Sequence, residues 1–378
     1  MRVAHVLTSP MSLLFLRGQL DFLTREGIDV HVCVAPGASP VPLPSTITRH
    51  DIPMRREIAP VADVHALSTL IARFHRLRPD IVHCQTPKAG LLGVLAGAAT
   101  RVPVRLYHVR GLRYHGETGA RRRLLRIMEG QACRWATAVQ SHGPSLTQAM
   151  LDDGLVRADK VFQVEHGSNG VDTTHFSEAC VSVAERQALR ARHGIAPSAP
   201  VALFVGRLHR DKGIRELLAA WKTIRAAHVD ARLVLAGPVE LGDVDQRTVE
   251  AAVASGVIVA GAVEDPRAWY AVSTVVLLPT YREGMPNVLL EAAAMSRPVV
   301  ATRATGCIDI VVPGRTGMLV PIGDADALAA AWGAYVADSQ LAEQHGRQAR
   351  RHVSDVYNPE RIWRAQLAAY QRLRASVH

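Results

Sequence analysis

Paired cysteines, aromatic side chains and long apolar runs are all scarce in this chain of 378 residues. Its five cysteines are far apart and lack Cys-x-x-Cys spacing, which argues against a disulfide framework or a structural zinc site and favours a reducing cytosol. The longest apolar-rich stretch, residues 89–100, is shorter than the ~20 residues that cross a bilayer. Residues 3–7 are apolar, but Pro10 follows and no small-residue cleavage site appears, so a first strand is favoured over a signal peptide.

Acidic residues are also few relative to basic ones. Lys and Arg number 44 against 34 Asp and Glu, which gives a formal net charge of +10, so an anionic partner is expected. A nucleic acid, a membrane surface or a phosphorylated small molecule would each satisfy this charge. Binding to nucleic acid is disfavoured because aromatic residues make up only 5% of the chain and are sparse beside its arginine-rich segment.

Short runs rich in Val, Ile and Leu alternate with longer helical patterns along the chain, which is typical of parallel sheets built from βαβ units. The pattern predicts two doubly wound α/β domains, residues 1–175 and 176–358, with a linker between residues 173 and 200 and a cleft between the carboxyl ends of both sheets. Residues 359–378 are expected to form a helix that packs back on the first domain. The predicted strands are residues 2–8, 29–35, 80–85, 102–109, 136–141, 161–165, 201–207, 232–236, 257–260, 274–279, 298–302 and 317–320.

A basic loop follows the first predicted strand of the second half. The sequence GRLHRDKG places Arg207 at the strand end and Lys212 just before a helix, while Gly206 and Gly213 allow sharp turns. A cation pair beside a helix N-terminus suits a diphosphate, and it would stabilise the charge that grows on a departing nucleoside diphosphate. A solvated basic loop would give the same pattern.

A second loop carries two glutamates eight residues apart. In PTYREGMPNVLLEAAAM, Glu283 lies in the turn after a strand and Glu291 lies in a helix that begins near Pro286. Glu283 is placed to accept hydrogen bonds from ligand hydroxyls, beside the exposed N–H groups of residues 284–289. Glu291 is placed to chelate a ribose diol, although the helix dipole alone also favours a glutamate near a helix start.

These motifs, in this order, resemble those of the retaining glycosyltransferases of family 4, whose fold is GT-B. GRLHRDKG is followed by EGMPNVLLEAAAMSRPVVAT, which meets the family's E-x7-E pattern, and then by GCIDIVVPGRTGMLV. In the first half, TPKAGLLGVLAGAATRVPVRLYHVRGLRY, SHGPSL and HGSNGVD resemble the bacterial subgroup that builds capsular, exopolysaccharide and O-antigen repeat units. The resemblance covers nearly the whole chain and implies two Rossmann-like domains.

The resemblance also implies roles for single residues. Arg207 and Lys212 would bind the donor diphosphate. Glu283 would hold hydroxyls of the transferred sugar and Glu291 the ribose, while His108 would approach the donor sugar near the reacting carbon. The predicted catalytic residues are therefore Arg207, Lys212, Glu283 and His108, and the predicted donor-binding residues are Gly206, Gly284, Met285, Pro286, Asn287, Val288, Leu289 and Glu291.

The reaction that the family implies is front-face attack with retention, in which the leaving phosphate takes the acceptor's proton and no metal or other cofactor is required. No second carboxylate is placed as a nucleophile for double displacement, and the DxD-like residues 243–245 are interpreted as a helix N-cap and acidic first turn. Asn169 and Gly170 would shape the cleft. The loop after the first strand, TSPMSLLFLRGQL, departs from the family because it lacks a Gly-Gly pair, which leaves Thr8 and Ser9 to supply hydroxyl and N–H groups.

Most of the excess positive charge lies between residues 101 and 126. This segment holds eight arginines and one acid, Glu117, in the half that the resemblance assigns to the acceptor. Together with apolar neighbours that we expect to be exposed (Leu112, Tyr114, Leu124 and Leu125), it suits an anionic membrane surface or a polyprenyl diphosphate equally. A solvated helix face over residues 120–135 would also explain it. The predicted acceptor and membrane residues are Arg110, Arg113, Arg121, Arg122 and Arg123.

Together the resemblance and the distribution of charge imply a hexosyl- or N-acetylhexosaminyltransferase, peripheral on the cytoplasmic leaflet, that uses a nucleotide sugar and a lipid-linked saccharide acceptor. A UDP-linked donor is the family expectation. Two alternatives remain, a GT-B transferase acting on a soluble acceptor and a sugar-nucleotide epimerase. The epimerase would need catalytic carboxylates in the first domain, and the motifs identify none there.

Overall fold

The computed structural model describes residues 1–168, 170–240 and 246–377. The chain forms two compact units: the first comprises Met1–Asn169 together with Pro359–His378, and the second is Gly170–Asn358. The observed division after residue 169 precedes the expected division after residue 175. Val171 explains the difference, because it is buried in the hydrophobic core of the second unit.

Two parallel sheets account for the strands in the described residues. The first unit contains β1 Arg2–Val6, β2 Asp29–Val34, β3 Thr48–Asp51, β4 Ile81–Cys84, β5 Val104–Val109, β6 Ala138–Ser141 and β7 Val161–Phe162, and the second contains β8 Val201–Val205, β9 Arg232–Ala236, β10 Ile258–Gly261, β11 Val275–Leu278, β12 Val299–Thr302 and β13 Gly317–Val320. The strand orders are β3-β2-β1-β4-β5-β6-β7 and β10-β9-β8-β11-β12-β13. Each order reverses direction beside its first strand, which is the doubly wound arrangement.

Helices connect these strands. In chain order they are α1 Gln19–Arg25, α2 Pro60–Leu77, α3 Pro87–Ala99, α4 Gly119–Trp135, α5 Pro144–Asp152, α6 Val183–Arg192, α7 Ile214–Ala227, α8 Gln246–Ala254, α9 Arg267–Val272, α10 Asn287–Ala294, α11 Cys307–Ile310, α12 Ala325–Ala337, α13 Ser339–Val356 and α14 Pro359–Ala375. Several of them begin at a residue that suits a helix start: α2, α3 and α5 have proline in the first turn, and α6 begins with a capping box formed by Ser182 and Glu185.

The two faces of the first sheet have different covers. One face packs its apolar side chains against residues of α2, α3 and α4. The other, which carries Val3, Ile81 and Leu106, packs against the 3-10 helix Pro10–Leu16, α1 and α14. Because side chains two residues apart on a strand share a face, the next positions along β1, β4 and β5 are also on this second face, and there the residues are polar: His5, His83 and His108.

The predicted α/β architecture of two doubly wound units is confirmed, and each predicted strand overlaps an observed one. The sequence pattern missed β3, whose residues TRHD do not alternate in polarity, and it placed a linker where the structure has α6 in the second unit. All five cysteines are free thiols, four of them buried. Among the described residues no helix is both long and apolar enough to cross a membrane.

Candidate active site

At the carboxyl edge of the second sheet, the loop after β8 is fixed by a close backbone approach. Gly213 has a φ of 69°, and a Cβ atom there would lie 1.9 Å from the carbonyl oxygen of Pro279. Only glycine fits both constraints. The loop of Arg207 and Lys212 is thus held directly against the end of β11.

Side chains also join the loop after β8 to the loop after β11. Lys212 Nζ forms an ion pair with Glu283 Oε1. The guanidinium of Arg282 donates to Asp211 Oδ2 at 2.6 Å, and Thr280 Oγ1 donates to the carbonyl oxygen of Asp211 at 3.0 Å. The structure therefore brings together three of the predicted site residues of this unit, Lys212, Glu283 and, through the same loop, Arg207.

Arg207 has a carboxylate partner that the motifs did not indicate. Its Nη1 lies 2.5 Å from Oε2 of Glu240, in the loop after β9, and both side chains are partly exposed. Each predicted phosphate-binding cation is thus compensated by a carboxylate within its own unit. A diphosphate that binds here would exchange these carboxylates for phosphate oxygens.

The segment from Gly284 to Leu289, which runs into the first turn of α10, presents backbone more than side chains. Met285 and Leu289 are buried in the core of the second unit, so the contacts they can offer a ligand are those of the main chain. Pro286 is the N-cap of α10, one residue before the first helical position. Gly306 packs closely behind this loop, since a Cβ atom there would lie 2.3 Å from the carbonyl oxygen of Gly284. Asn287 is exposed and Val288 is partly exposed.

Glu291 lies farther along α10 and is held by a buried tyrosine. The hydroxyl of Tyr270 donates to Glu291 Oε2 at 2.9 Å. Burial raises the pKa of Glu291, and the hydrogen bond from Tyr270 opposes that shift. No sequence motif pointed to Tyr270, which lies in α9, away from every recognised motif.

In the first unit, His108 lies one residue before the end of β5 as a buried, neutral imidazole. It is 2% exposed, and its Nε2 lies 2.8 Å from Ser168 Oγ and 3.2 Å from Nδ1 of His142. Burial holds the pKa of His108 well below its ordinary value, and the positive charge of Arg110 lowers it further. The imidazole can therefore donate or accept a hydrogen bond without carrying a charge.

Arg110 follows His108 at the same sheet edge and is half-buried. Its Nε and Nη2 donate to Gln85 Oε1 at 3.2 and 2.6 Å, and its guanidinium lies 4.7 Å from the ring centre of Phe15. Burial lowers the pKa of Arg110 to about 9. Nearby, the hydroxyls of Thr8 and Thr86 are 2.6 Å apart. The sequence indicated Arg110 and Thr8 but not Gln85 or Phe15.

The remaining arginines of the predicted acceptor segment are not clustered at this edge. Arg113 is exposed, and Arg121, Arg122 and Arg123 are exposed on the first turn of α4, where Arg121 pairs with Glu117 at 3.1 Å. The expectation of four exposed apolar neighbours holds only for Leu124. Leu125 is partly buried against the core, and Leu112 and Tyr114, which are 3% and 1% exposed, are packed in it. They point inward because the segment after β5 folds back as a 3-10 turn whose aromatic hydroxyl bonds Asp153.

Two further predictions involve residues at or beyond the edges of the described ranges. Asn169 and residues 243–245 lie outside the described residues, and Gly170 is the first residue of the second unit. Within the described ranges, no group of three or more His, Cys, Asp or Glu side chains is arranged to hold a metal ion.

Comparison with known proteins covers both units. Residues 16–167 match the glycosyl transferase 4-like domain, and residues 199–338 match the glycosyl transferases group 1 family. The capsular polysaccharide biosynthesis glycosyltransferase CapM of Staphylococcus aureus is 33% identical over 365 residues, which is 96% of this chain and 94% of CapM. This chain belongs to glycosyltransferase family 4. The resemblance read from its motifs is thereby confirmed.

Solved structures agree with the GT-B fold of this glycosyltransferase. Sucrose-phosphate synthase from Thermosynechococcus elongatus superimposes with a TM-score of 0.83 at 21% identity, over 100% of both chains. Anabaena Alr3699/HepE, in its complex with UDP-glucose, gives a TM-score of 0.81 at 21% identity over 98% of this chain and 99% of that one. At these identities the similarity establishes the fold.

Proposed function

We propose that this glycosyltransferase transfers a hexosyl or N-acetylhexosaminyl group, with retention, from a UDP-linked donor to a polyprenyl-diphosphate-linked saccharide in cell-surface polysaccharide synthesis. The Lys212–Glu283 ion pair carries the donor half of the proposal, because it joins the two predicted donor loops at one sheet edge. The similarity to a protein named for capsular polysaccharide biosynthesis and the UDP-glucose bound by HepE support it.

In the proposed reaction, the bond from C1 of the donor sugar to the diphosphate oxygen breaks, and a bond from C1 to the acceptor hydroxyl oxygen forms on the same face. The acceptor proton passes to the leaving diphosphate oxygen. Arg207 and Lys212 would stabilise the negative charge that grows on the diphosphate, while Glu283 would accept hydrogen bonds from the sugar. These side chains supply the positive charge, so the scheme requires no metal.

The ion pairs explain how such a site stays ordered before the donor arrives. The side chains of Lys212 and Glu283 are only 20% and 14% exposed, and a lone charge at that depth would be costly. When a nucleotide sugar binds, the diphosphate would replace Glu283 as the partner of Lys212, and the sugar hydroxyls would replace Lys212 as the partners of Glu283. Each group then exchanges one polar partner for another.

The first unit would provide the uncharged contacts and the acceptor site. As a neutral imidazole, His108 suits a hydrogen bond to a sugar hydroxyl close to C1. Arg110, already oriented by Gln85, suits a phosphate oxygen of the acceptor. The exposed side chains Leu14 and Phe15 of the adjacent 3-10 helix offer an apolar surface for the start of a polyprenyl chain.

The α4 surface would bind the anionic cytoplasmic leaflet, which would make the protein peripheral there. Leu124 and Ile127 are 46% and 61% exposed on this helix, beside the three successive arginines 121–123. Basic side chains near an anionic membrane contribute about 1 kcal/mol each. Exposed apolar residues among them can enter the interface.

Thermal unfolding with a panel of nucleotide sugars tests the donor proposal. A ligand at 100 times its Kd stabilises the native state by about 2.7 kcal/mol, which is a rise in Tm of roughly 5–10 °C for domains of this size. We expect that rise with UDP-linked sugars for the wild type, much less for Arg207→Ala, and the wild-type response for Arg347→Ala, an exposed arginine of α13. A wild type that no nucleoside diphosphate stabilises would refute the proposal.

Sedimentation with vesicles tests the membrane proposal. Changing Arg121, Arg122 and Arg123 to Glu should abolish binding to vesicles that contain anionic lipid. A variant with Arg247, Arg347 and Arg351 changed to Glu has the same net charge and alters only exposed residues of the second unit, so it should still bind. Equal binding of both variants would rule out α4 as the docking surface.

A further inference from the structure

Four histidines form a buried row along the first sheet, on the face covered by α14. His5 and His83 are register partners on β1 and β4, and His108 and His142 continue the row on β5 and just after β6. Successive ring centres are 5.2, 5.5 and 5.2 Å apart, and none of the four residues is more than 3% exposed. This histidine row ends at His108, the proposed sugar-binding imidazole, and its neighbour His142.

The hydrogen bonds of Gln85 determine which ring nitrogens carry protons. Two N–H groups of Arg110 donate to Gln85 Oε1, so the amide nitrogen of Gln85 faces the other way. Its Nε2 lies 3.1 Å from Nδ1 of His5 and 3.4 Å from Nδ1 of His83. An amide nitrogen only donates. Nδ1 of His5, at the shorter of the two distances, is therefore an acceptor, and the neutral His5 ring has its proton on Nε2.

Tyr370 of α14 supplies the second hydrogen bond to this network. Its hydroxyl is 2.5 Å from Nδ1 of His83, so a hydrogen bond joins the two side chains. The His83 ring is in turn stacked on His108, with planes 27° apart. A side chain from residue 370 thus reaches the proposed active-site histidine through a single intervening ring.

Burial, together with the charge of Arg110, keeps the histidine row neutral. Burial lowers the pKa of His5, His83, His108 and His142, and the positive charge of Arg110 lowers all four further. Burial also raises the pKa of Tyr370. With every member uncharged and buried, each hydrogen bond in the row is one of the constraints on the orientation of the rings.

We propose that Tyr370 is a positioning residue for His108: its hydroxyl fixes the ring of His83, and that ring, stacked on His108, holds the His108 imidazole in the orientation that glycosyl transfer requires. The inference rests on the proposed function through the role of His108. It makes α14 part of the active-site structure and not only a cover for the sheet.

Steady-state kinetics of Tyr370→Phe tests the inference. This change removes one hydroxyl and keeps the ring, so kcat for transfer should fall about three- to tenfold, the range of one hydrogen bond, with the KM for the donor unchanged. Tyr335→Phe is the matched control, because Tyr335 is equally buried and bonds Nδ1 of His345 at 2.7 Å in the second unit. Equal kcat values for the two variants, compared at equal folded fractions, would overturn the inference.

A double-mutant cycle separates this inference from the proposed function. If Tyr370 acts through His108, then Tyr370→Phe should cause no further loss in a His108→Ala background. The same fold-loss in both backgrounds would show that Tyr370 acts by another route. A fully active His108→Ala enzyme would refute the proposed role of His108, and the inference with it.

The 15N NMR signals of the histidine rings give a direct structural readout. In Tyr370→Phe, the signals of His83 and His108 should shift, whereas Tyr335→Phe should leave them as in the wild type. Unchanged His108 signals in Tyr370→Phe would overturn the inference. This readout also decides the question if His108→Ala is too slow for kinetics.

Discussion

The carboxyl edges of the two sheets differ in how charge is arranged. In the second unit, Arg207 and Lys212 are each paired with a carboxylate on partly exposed loops. In the first unit, neutral imidazoles are buried in a row beside the single guanidinium of Arg110. A cation that is paired with a carboxylate can exchange that partner for an incoming anion. A buried neutral ring can only orient a neighbouring group. The difference fits the proposed function, in which the second unit would bind the diphosphate and the first would orient uncharged groups.

The largest effect should come from removing a cation of the second unit. Lys212→Met leaves Glu283 without its partner and removes positive charge from the proposed diphosphate site, so kcat/KM should fall by about 10²–10³. Lys222→Met, at an exposed position of α7, should stay close to wild type. A fall of less than fivefold for Lys212→Met would show that the two edges do not differ as described.

Acidification should destabilise the first unit more than the second, and this effect should be smaller than that of Lys212→Met. The pKa of His5 is lowered to about 3 in the folded protein by burial and by Arg110, below its unfolded value near 6.5. A histidine with a lowered folded pKa contributes stability above pH 6.5 that is lost as the pH falls toward 3, about 1.4 kcal/mol at pH 5.5. The same direction applies to His83, His108 and His142.

Hydrogen exchange read by mass spectrometry measures this loss in each unit. Between pH 7.5 and 5.5, after correction for intrinsic exchange, protection in β1, β4 and β5 should fall more than in β8, β11 and β12. A His5→Gln variant, which cannot be protonated, should lose less on acidification than the wild type. Equal losses of protection in both sheets would contradict the difference between the two sheet edges.

The smallest effect should come from neutralising Glu240, the carboxylate that pairs with Arg207. Glu240→Gln removes its charge, and since the Arg207 side chain is 44% exposed, the pair contributes no more than about 1 kcal/mol. Calorimetry should find UDP bound about two- to fivefold more tightly, with Glu250→Gln as the control at an exposed position of α8. Weaker binding by Glu240→Gln would mean that Glu240 orients Arg207 for the ligand.

The two edges also differed in how far the sequence could predict them. The loops of the second unit lie within continuous motifs, so Lys212 and Glu283 could be singled out from those motifs and their resemblance to a known family. The histidine row is built from four strand ends and a helix that contributes Tyr370, and no local pattern connects residues so far apart. The same limit applies to Glu240 and Tyr270, which contact motif residues from outside the motifs.

The fold itself was predictable because alternating apolar runs and helical patterns determine a parallel α/β sheet almost directly. The errors have local physical causes. β3 is a short, polar edge strand, and α6 is an amphipathic surface helix with no fully buried residue, so neither has a strong hydrophobic pattern. Leu112 and Tyr114 were expected on the surface because their neighbours are charged, but the chain folds back there and buries them.

The discontinuity of the first unit has a consequence for its biosynthesis. Residues 359–378 complete the sheet face that carries the histidine row, yet they leave the ribosome only after the whole second unit has been translated. At 5–20 residues per second, that delay is about 10–40 s. During this time the nascent first unit has the strands of its sheet but lacks α14, which packs on this face together with the 3-10 helix and α1. A chaperone that binds nascent chains would find an exposed surface on this face of the first sheet.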